Sequence, residues 1–234
     1  MKKLLLSILA ILLCASFADA QIISIAKKKA GGGTTGTITY VQSNSSNGAD
    51  NVTLTGVTAG NLIVVVYLQT GVETDLTCSD GTSSLTAVTP GNGTYVSVQF
   101  FYLLSANGGD MTYTIANESG DGTYTAAYEF SYTGTIGYDT ENHNSGDGEG
   151  SITTGNITTG GDTAVVIAAA NSYAGGDITS QQIAGSAPTA IIDSPGFGNI
   201  SIWYRIGAVS NGQATATDPD AGYWGAQIVS FKVD

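Results

Sequence analysis

The sequence has little cysteine, histidine or positive charge, and each shortage excludes a class of function. Among 234 residues there are 2 Cys and 1 His, so a zinc site built from these ligands is excluded. A Ser-His-Asp catalytic set would have to use His143, and no G-x-S-x-G motif occurs. Lys plus Arg number 7 against 19 Asp plus Glu, and this net charge of −12 argues against nucleic acid and anionic lipid as partners.

Proline and charged residues are also scarce, while apolar residues are plentiful. The chain has 4 Pro and 11% charged residues, but 42% of its residues are hydrophobic, enough to bury a core and to exclude wholesale disorder. No stretch carries apolar residues at sustained helical spacing with caps, so we predict no helices. The length fits one domain, because a single sandwich or barrel runs to ~200–250 residues.

The first 20 residues have the pattern of a secretory signal peptide. Positive charge at Lys2 and Lys3 precedes an apolar run from Leu4 to Phe17 and an A-x-A site ending at Ala20. The run is too short for a membrane span, which needs ~20 apolar residues, and no later segment is long and apolar enough. We therefore expect export by a bacterial type of signal and a secreted or extracellular mature protein. It keeps one cysteine, Cys78, which we expect to be buried, the alternative being a disulfide to another molecule.

Residues 21–36 differ from the rest and form a predicted flexible tail. Three isoleucines, Ile22, Ile23 and Ile25, make a short β-prone patch, and lysines and a glycine run follow it. Such a patch can add as a strand to the sheet edge of another copy of the chain. The alternative is a frayed terminus or spacer, which is the common fate of such residues.

From residue 37 onward the sequence is typical of an all-β protein. Short runs of Val, Ile, Thr, Tyr and Phe alternate with Asn-Gly and Asp-Gly pairs, which supply the positive φ of tight hairpins. The predicted strands are Thr37–Gln42, Val52–Val57, Asn61–Leu68, Ser84–Val88, Tyr95–Leu104, Met111–Ile115, Thr123–Tyr132, Ser151–Ile157, Thr163–Ala169, Ile178–Ile183, Ala190–Ile192, Ile200–Ile206, Ala214–Thr217 and Tyr223–Val233.

The chain contains a weak internal repeat. The run that begins at Gly60 resembles the run that begins at Gly161, and the order of the following elements also matches. Two such halves, packed face to face, would make one antiparallel β-sandwich. Because neither half alone offers an obvious separate core, we predict a single sandwich domain over residues 37–234.

In this layout the chain resembles the concanavalin-like, jelly-roll modules of secreted bacterial and phage-surface proteins. The resemblance covers about residues 37–234, and it rests on Gly60 to Val66, Asp80-Gly81, Phe100-Phe101-Tyr102, Asn107-Gly108, Glu129-Phe130, Gly161 to Ile167, Trp203-Tyr204, Asn211-Gly212 and Trp224 to Phe231. It implies an antiparallel jelly-roll-type sandwich and an adhesive or glycan-contacting surface. These motifs form turns and core, so they specify architecture better than activity.

Three residues in the strands are candidates for a ligand site. Arg205 lies beside Trp203 in a predicted strand, and Glu129 lies within another. An arginine next to an indole makes a platform for a sugar or an anionic group. The structural alternatives are that Arg205 pairs with a carboxylate such as Glu129, and that Glu129 lies on a solvent face.

A calcium site is a further hypothesis. Four carboxylates, Asp139, Glu141, Asp147 and Glu149, lie in an acidic, glycine-rich segment that we expect to be a loop. Oxygen ligands of this kind suit Ca²⁺, although the spacing is not that of an EF-hand. The alternative is a solvated connection, and no other cofactor is indicated.

Two functions from different classes remain. The first is a secreted, non-catalytic module that binds a glycan or cell surface through exposed aromatic residues and the rim loops 70–83, 139–150 and 171–188. The second is a structural subunit of a fibre, surface layer or virion, joined to copies of itself by the tail. A glycan-cleaving enzyme that uses two carboxylates is a third hypothesis, but no spacing selects a pair.

Overall fold

The computed structural model describes residues 36–116, 121–148, 150–160, 163–173, 176–193, 199–220 and 222–234. The signal peptide, most of the predicted tail and its isoleucines Ile22, Ile23 and Ile25 lie outside the described residues. The described residues form 17 β-strands and no helix, which confirms the all-β prediction. They belong to one compact unit, Gly36–Asp234.

The first half of this unit contains nine strands. They are β1 (Thr37–Asn47), β2 (Asn51–Val57), β3 (Leu62–Thr70), β4 (Thr77–Ser79), β5 (Thr86–Ala87), β6 (Gly91–Asn92), β7 (Val96–Leu103), β8 (Gly109–Ala116) and β9 (Asp121–Thr133). The first large sheet has the order β1-β9-β3-β7-β5, with β6 also paired to β7. The first small sheet has the order β2-β8-β4, and every pairing is antiparallel.

The second half repeats this arrangement with eight strands. They are β10 (Ile136–Asp147), β11 (Gly150–Thr153), β12 (Ala164–Tyr173), β13 (Thr179–Ile183), β14 (Ala190–Asp193), β15 (Ile200–Ile206), β16 (Ala214–Asp218) and β17 (Tyr223–Val233). The second large sheet has the order β10-β17-β12-β15-β14, and the second small sheet has the order β11-β16-β13. The prediction of two similar halves is therefore confirmed.

Pairing within each half is nested. In the first half the outermost strands pair (β1 with β9), then the next pair inward (β2 with β8), then β3 with β7. The second half has the same nesting in β10 with β17, β11 with β16 and β12 with β15. Nested pairing is what a long hairpin produces when it rolls up into a jelly roll. Each half is thus wound in this way, rather than the two halves together forming one roll.

The structure corrects the expectation that the halves lack cores of their own. One apolar cluster lies between the large and small sheets of the first half and includes Ile63, Val65 and Tyr67. A second, between the sheets of the second half, includes Val166 and Ala168. The molecule therefore has four layers instead of two.

A third cluster joins the two large sheets face to face. Its side chains come from the other faces of the same large-sheet strands. They include Leu62, Val64 and Val66 of β3 and Val165 and Ile167 of β12. The middle strands β3 and β12 are consequently buried on both faces, which explains why their sequences are continuous apolar runs.

The predicted strands were found close to their expected positions, with three additions. The short strands β4 and β6 were not predicted, and β10 lies where we expected a loop at 139–150. That expectation is wrong for residues 139–147, which pair with β17 along its length. β10 is an edge strand whose side chains are mostly half-buried or exposed, so its polar, glycine-containing sequence carries no apolar alternation.

Candidate functional site

Trp203 does not form an exposed platform. It lies in the core between the second large and small sheets with 1% of its surface exposed, and its Nε1 donates to the carbonyl of Gln182 at 3.1 Å. On the other face of the same strand, Tyr204 points into the central core. The indole is therefore a packing residue of β15.

Glu129 is fully buried, not solvent-exposed as its structural alternative supposed. Its Oε1 accepts hydrogen bonds from the backbone N–H of Thr58 at 2.8 Å and from Nδ2 of Asn61 at 2.6 Å. Its Oε2 accepts from Nε2 of Gln42 at 2.6 Å. Three neutral donors thus stabilise this carboxylate, and they tie β9 to β1 and to the turn before β3.

The expected pairing of Arg205 with Glu129 is wrong. The two residues lie on different large sheets. Their chain neighbours Tyr204 and Phe130 point into the core between the large sheets, so the side chains of Arg205 and Glu129 point away from it in opposite directions. Nη1 of Arg205 instead donates to the carbonyl of Ile183 in β13 at 3.1 Å. Arg205 therefore ties a large sheet to its small sheet, and the three predicted ligand residues do not meet.

The carboxylates of the calcium hypothesis are spread along β10. Asp139 accepts a hydrogen bond from the backbone of Gly160 at 2.8 Å, and Glu141 lies 3.7 Å from Nδ1 of His143. Glu149 lies outside the described residues. An extended strand rises ~3.3 Å per residue, so Asp139 and Asp147 are too far apart to hold one ion. No group of three or more His, Cys, Asp or Glu able to hold a metal occurs among the described residues.

Cys78 is buried between the first large and small sheets, as predicted. Burial, and next the negative charge of Asp80, raise the pKa of its thiol from 9.0 to about 12. The thiol stays protonated at physiological pH, and a protonated, buried thiol is a poor nucleophile.

A different group of residues, which the sequence did not single out, stands out on the surface. The rings of Tyr95, Tyr173 and Tyr223 form a contiguous cluster, called here the tyrosine platform. The ring centroids of Tyr95 and Tyr223 are 4.6 Å apart and those of Tyr95 and Tyr173 are 5.8 Å apart. Tyr95 and Tyr173 are each 48% exposed, so two large aromatic side chains meet at the surface.

The platform is built across the two halves of the molecule. Tyr173 ends β12 and pairs directly with Tyr223, which begins β17, while Tyr95 comes from the turn between β6 and β7. That turn packs closely on β17, since a Cβ at Gly93 would lie 2.8 Å from the carbonyl oxygen of Trp224. Glycine at this position therefore lets the first half bring its tyrosine onto the second.

Two further features border the platform. The backbone N–H of Gly71 donates to the carbonyl of Tyr95 at 2.8 Å, which places the loop after β3 beside it. The next residue of that loop, Val72, is another exposed apolar side chain, and Asp147 pairs with Tyr223 in the sheet. Parts of the three expected rim loops thus contribute to one surface.

A sequence signal for the platform existed but is weak. Each tyrosine stands at a strand end and within two residues of a glycine, where a chain emerges from the core. Which strand ends meet depends on the packing of the two halves, and local patterns do not show this.

Within the described residues, no helix is long and apolar enough to cross a membrane. The resemblance to concanavalin-like modules stays a prediction, because the sandwich architecture is shared by many families. Comparison of the chain with protein-family models gives no match, and comparison with curated proteins gives none either.

Proposed function

We propose that this protein is a non-catalytic binding module of the cell exterior that holds a glycan on the tyrosine platform. The observation that carries the proposal is the contact among Tyr95, Tyr173 and Tyr223 at the surface. Exposed apolar surface that is contiguous, rather than scattered, marks binding sites. The apolar faces of sugar rings fit such a surface, and the tyrosine hydroxyls remain available for hydrogen bonds.

The spacing of the rings disfavours a single cation as the ligand. An aromatic cage for a quaternary ammonium group needs rings that stand apart around the cation. Here the centroids are only 4.6 and 5.8 Å apart, so the rings fill the space between one another. They present one continuous apolar surface, uneven because the plane of Tyr95 is tilted by 33° from that of Tyr173 and by 63° from that of Tyr223, and sugar units can pack against it.

The test is binding of the mature chain to a panel of soluble polysaccharides, measured by affinity gel electrophoresis and calorimetry. Tyr95→Ala removes a ring that is 48% exposed, so we expect a roughly tenfold loss of affinity with little change in stability. Tyr95→Phe keeps the ring and should retain binding. Val41→Ala is a matched control, because Val41 is also exposed but lies on β1 away from the three rings.

Loss of binding in Tyr95→Ala, with Tyr95→Phe and Val41→Ala unaffected, would support the proposal. Unchanged binding in the separate alanine variants of Tyr95, Tyr173 and Tyr223 would refute it. So would the absence of binding to every polysaccharide in the panel.

A second candidate function is the assembly subunit, and one observation favours it. β1 is an 11-residue strand at the edge of the first large sheet, directly after the segment with the isoleucine patch. An edge strand offers backbone groups to a strand from another molecule. We expect chains beginning at Gln21 to form oligomers or fibres that chains beginning at Thr37 do not, by light-scattering chromatography and negative-stain microscopy. Two monomers would refute this function.

A further inference from the structure

Beside the tyrosine platform, the structure contains a row of polar side chains with unusual hydrogen bonding. Gln69 of β3 pairs with Ser97 of β7, which pairs with Asn92 of β6, so the three residues lie side by side on one face of the sheet. We call them the polar row. The loop that follows β3, residues 71–76, passes over them.

Gln69 is the exceptional member of the polar row. Its side chain is fully buried, yet neither Oε1 nor Nε2 has a hydrogen-bond partner in the described part of the chain. Oδ1 of Asn92 is likewise buried without a partner. Buried amides are normally bonded, and each unsatisfied group costs stability, so three such atoms in one row need an explanation.

The backbone of the covering loop is hydrogen-bonded to the polar row itself, while Leu76 at its end is buried in the core of the first half. Oγ of Ser97 donates to the carbonyl of Gly71 at 2.8 Å and accepts from the N–H of Glu73 at a long 3.3 Å. Nδ2 of Asn92 donates to the carbonyl of Glu73 at 3.2 Å. Gly71 itself has φ +108°, a conformation that allows a sharp change of direction.

The polar row and the tyrosine platform adjoin through two contacts. Gly71 binds the backbone of Tyr95, and Nδ2 of Asn171, two residues before Tyr173, donates to the carbonyl of Gln69 at 2.9 Å. Both contacts are made to backbone carbonyls, and the side chain of Gln69 lies on the outer face of β3 together with Tyr67. A glycan chain on the three rings would reach the row by continuing past the 71–76 loop.

Charge restricts what that ligand can be. Residues 36–234 contain only two Lys or Arg residues, Arg205 and Lys232. The guanidinium of the first donates to a backbone carbonyl, and the ammonium of the second lies 3.8 Å from the carboxylate of Asp234. Asp147 instead pairs with Tyr223 of the platform, and its negative charge would repel an anion.

From these observations we propose that the ligand is an uncharged, hydroxyl-rich glycan, and that the polar row binds its hydroxyl groups when the 71–76 loop shifts aside. This inference rests on the proposed function and adds the ligand class and a hydrogen-bonding subsite. A primary amide offers both a donor and an acceptor, and this pair matches two neighbouring sugar hydroxyls. Groups left unsatisfied in the free protein would thus gain partners in the complex.

Two buried glutamines allow a matched test. Gln69→Met keeps the length of the side chain and removes atoms without partners, so the free protein should unfold at the same or higher urea concentration. Gln99→Met is the control, because Nε2 of Gln99 donates to the carbonyls of Phe100 and Val88. This control should lose stability and keep its affinity.

Binding is measured with neutral polysaccharides (laminarin, hydroxyethyl cellulose, dextran) and acidic ones (alginate, polygalacturonate) at low and high salt. We expect binding to a neutral polysaccharide only, little salt dependence, and at least tenfold weaker binding for Gln69→Met. If that variant does not fold, Asn92→Ala, in a half-buried two-residue strand, should show the same loss.

Wild-type affinity in both Gln69→Met and Asn92→Ala would mean that the row holds only water, and it would overturn the inference. Tighter binding to an acidic polysaccharide would overturn the ligand class. In either case a loss of binding in Tyr95→Ala would leave the proposed function standing. If no polysaccharide binds the wild type, the proposed function itself fails.

Discussion

Tyr40 of the first half stacks on Tyr204 of the second, with ring centroids 5.5 Å apart and planes 17° from parallel. Tyr138 of the second half stacks on Tyr102 of the first, at 5.4 Å and 5°. Tyr40 lies near the start of β1 and contacts β15 of the second half, while Tyr138 lies near the start of β10 and contacts β7 of the first half. Each half thus contributes equivalent positions to the two contacts, as the two subunits do in the isologous interface of a twofold dimer.

The similarity extends to the neighbouring rings. Phe130 lies edge-on to the first pair, and Phe231 lies edge-on to the second, at centroid distances of 5.2 to 6.0 Å. Edge-on and stacked rings both have favourable electrostatics. The interface between the halves therefore contains the same arrangement of three rings twice, which fits a duplicated unit whose two copies became joined.

A double-mutant cycle should separate the two stacks. We expect the leucine variants of Tyr40 and Tyr204 to be coupled by about 0.5–1.5 kcal/mol in the free energy of unfolding, since each removes the same ring contact. The combination of Tyr40→Leu with Tyr102→Leu is the control, because these rings belong to different stacks. Urea denaturation gives all values, and equal coupling in both cycles would contradict the assignment.

Replacing the buried carboxylate should weaken the first half. Glu129→Gln puts an NH₂ group among three donors, so we expect a loss of about 1–3 kcal/mol in the free energy of unfolding. Ser131→Ala, on the same strand but near the surface, should change stability by less than about 0.5 kcal/mol. Stability unchanged in Glu129→Gln would show that the three hydrogen bonds contribute little.

Stability should fall in alkaline solution in part through Cys78. Below pH 9 its thiol is protonated in both states, so the contribution is fully present there. Between pH 9 and about 12 the unfolded thiol ionises while the folded one keeps its proton, so the free energy of unfolding falls by about 1.4 kcal/mol per pH unit.

Tyrosines add to this fall, because burial raises the pKa of Tyr113 and Tyr128, and it also raises the pKa of the half-buried Tyr138 to about 12. Cys78→Ala isolates the thiol, and its unfolding free energy should decline less steeply between pH 9 and 11 in urea titrations. Identical slopes for the variant and the wild type would show that the thiol ionises equally in both states.

The connection between the halves should not tolerate a side chain at Gly134. Its φ is +97°, and a Cβ there would lie 2.6 Å from the carbonyl oxygen of Asp234. We expect Gly134→Ala to lower the free energy of unfolding by roughly 1–3 kcal/mol and therefore to lower the melting temperature. Gly137→Ala is the control, since nothing lies within 4 Å of its added Cβ. Equal melting temperatures would contradict the strain.

The sequence predicts the features that depend on residues close together in the chain, and it does not predict those that depend on which sheets pack against each other. Alternation and Asn-Gly turns located nearly all the longer strands, because those signals are local. β10 escaped notice because an edge strand needs few apolar residues. The cores between the large and small sheet of each half were not predicted. The continuous apolar run Leu62–Leu68 indicates burial on both faces but does not show which sheets cover it.

The predicted site residues failed for a related reason. Trp203 and Arg205 share a strand face, but only the sheet order shows that a small sheet covers that face. The tyrosine platform combines residues from distant parts of the chain. Its existence follows from how the halves pack, and a single sequence carries no direct record of that packing.

The shared core between the large sheets also determines how the molecule comes apart. If the halves separated, the apolar faces of β3 and β12 would both be exposed to water at once. Backbone amides on these two strands should therefore exchange with solvent only when the whole chain unfolds. The duplicated molecule should thus unfold as one cooperative unit.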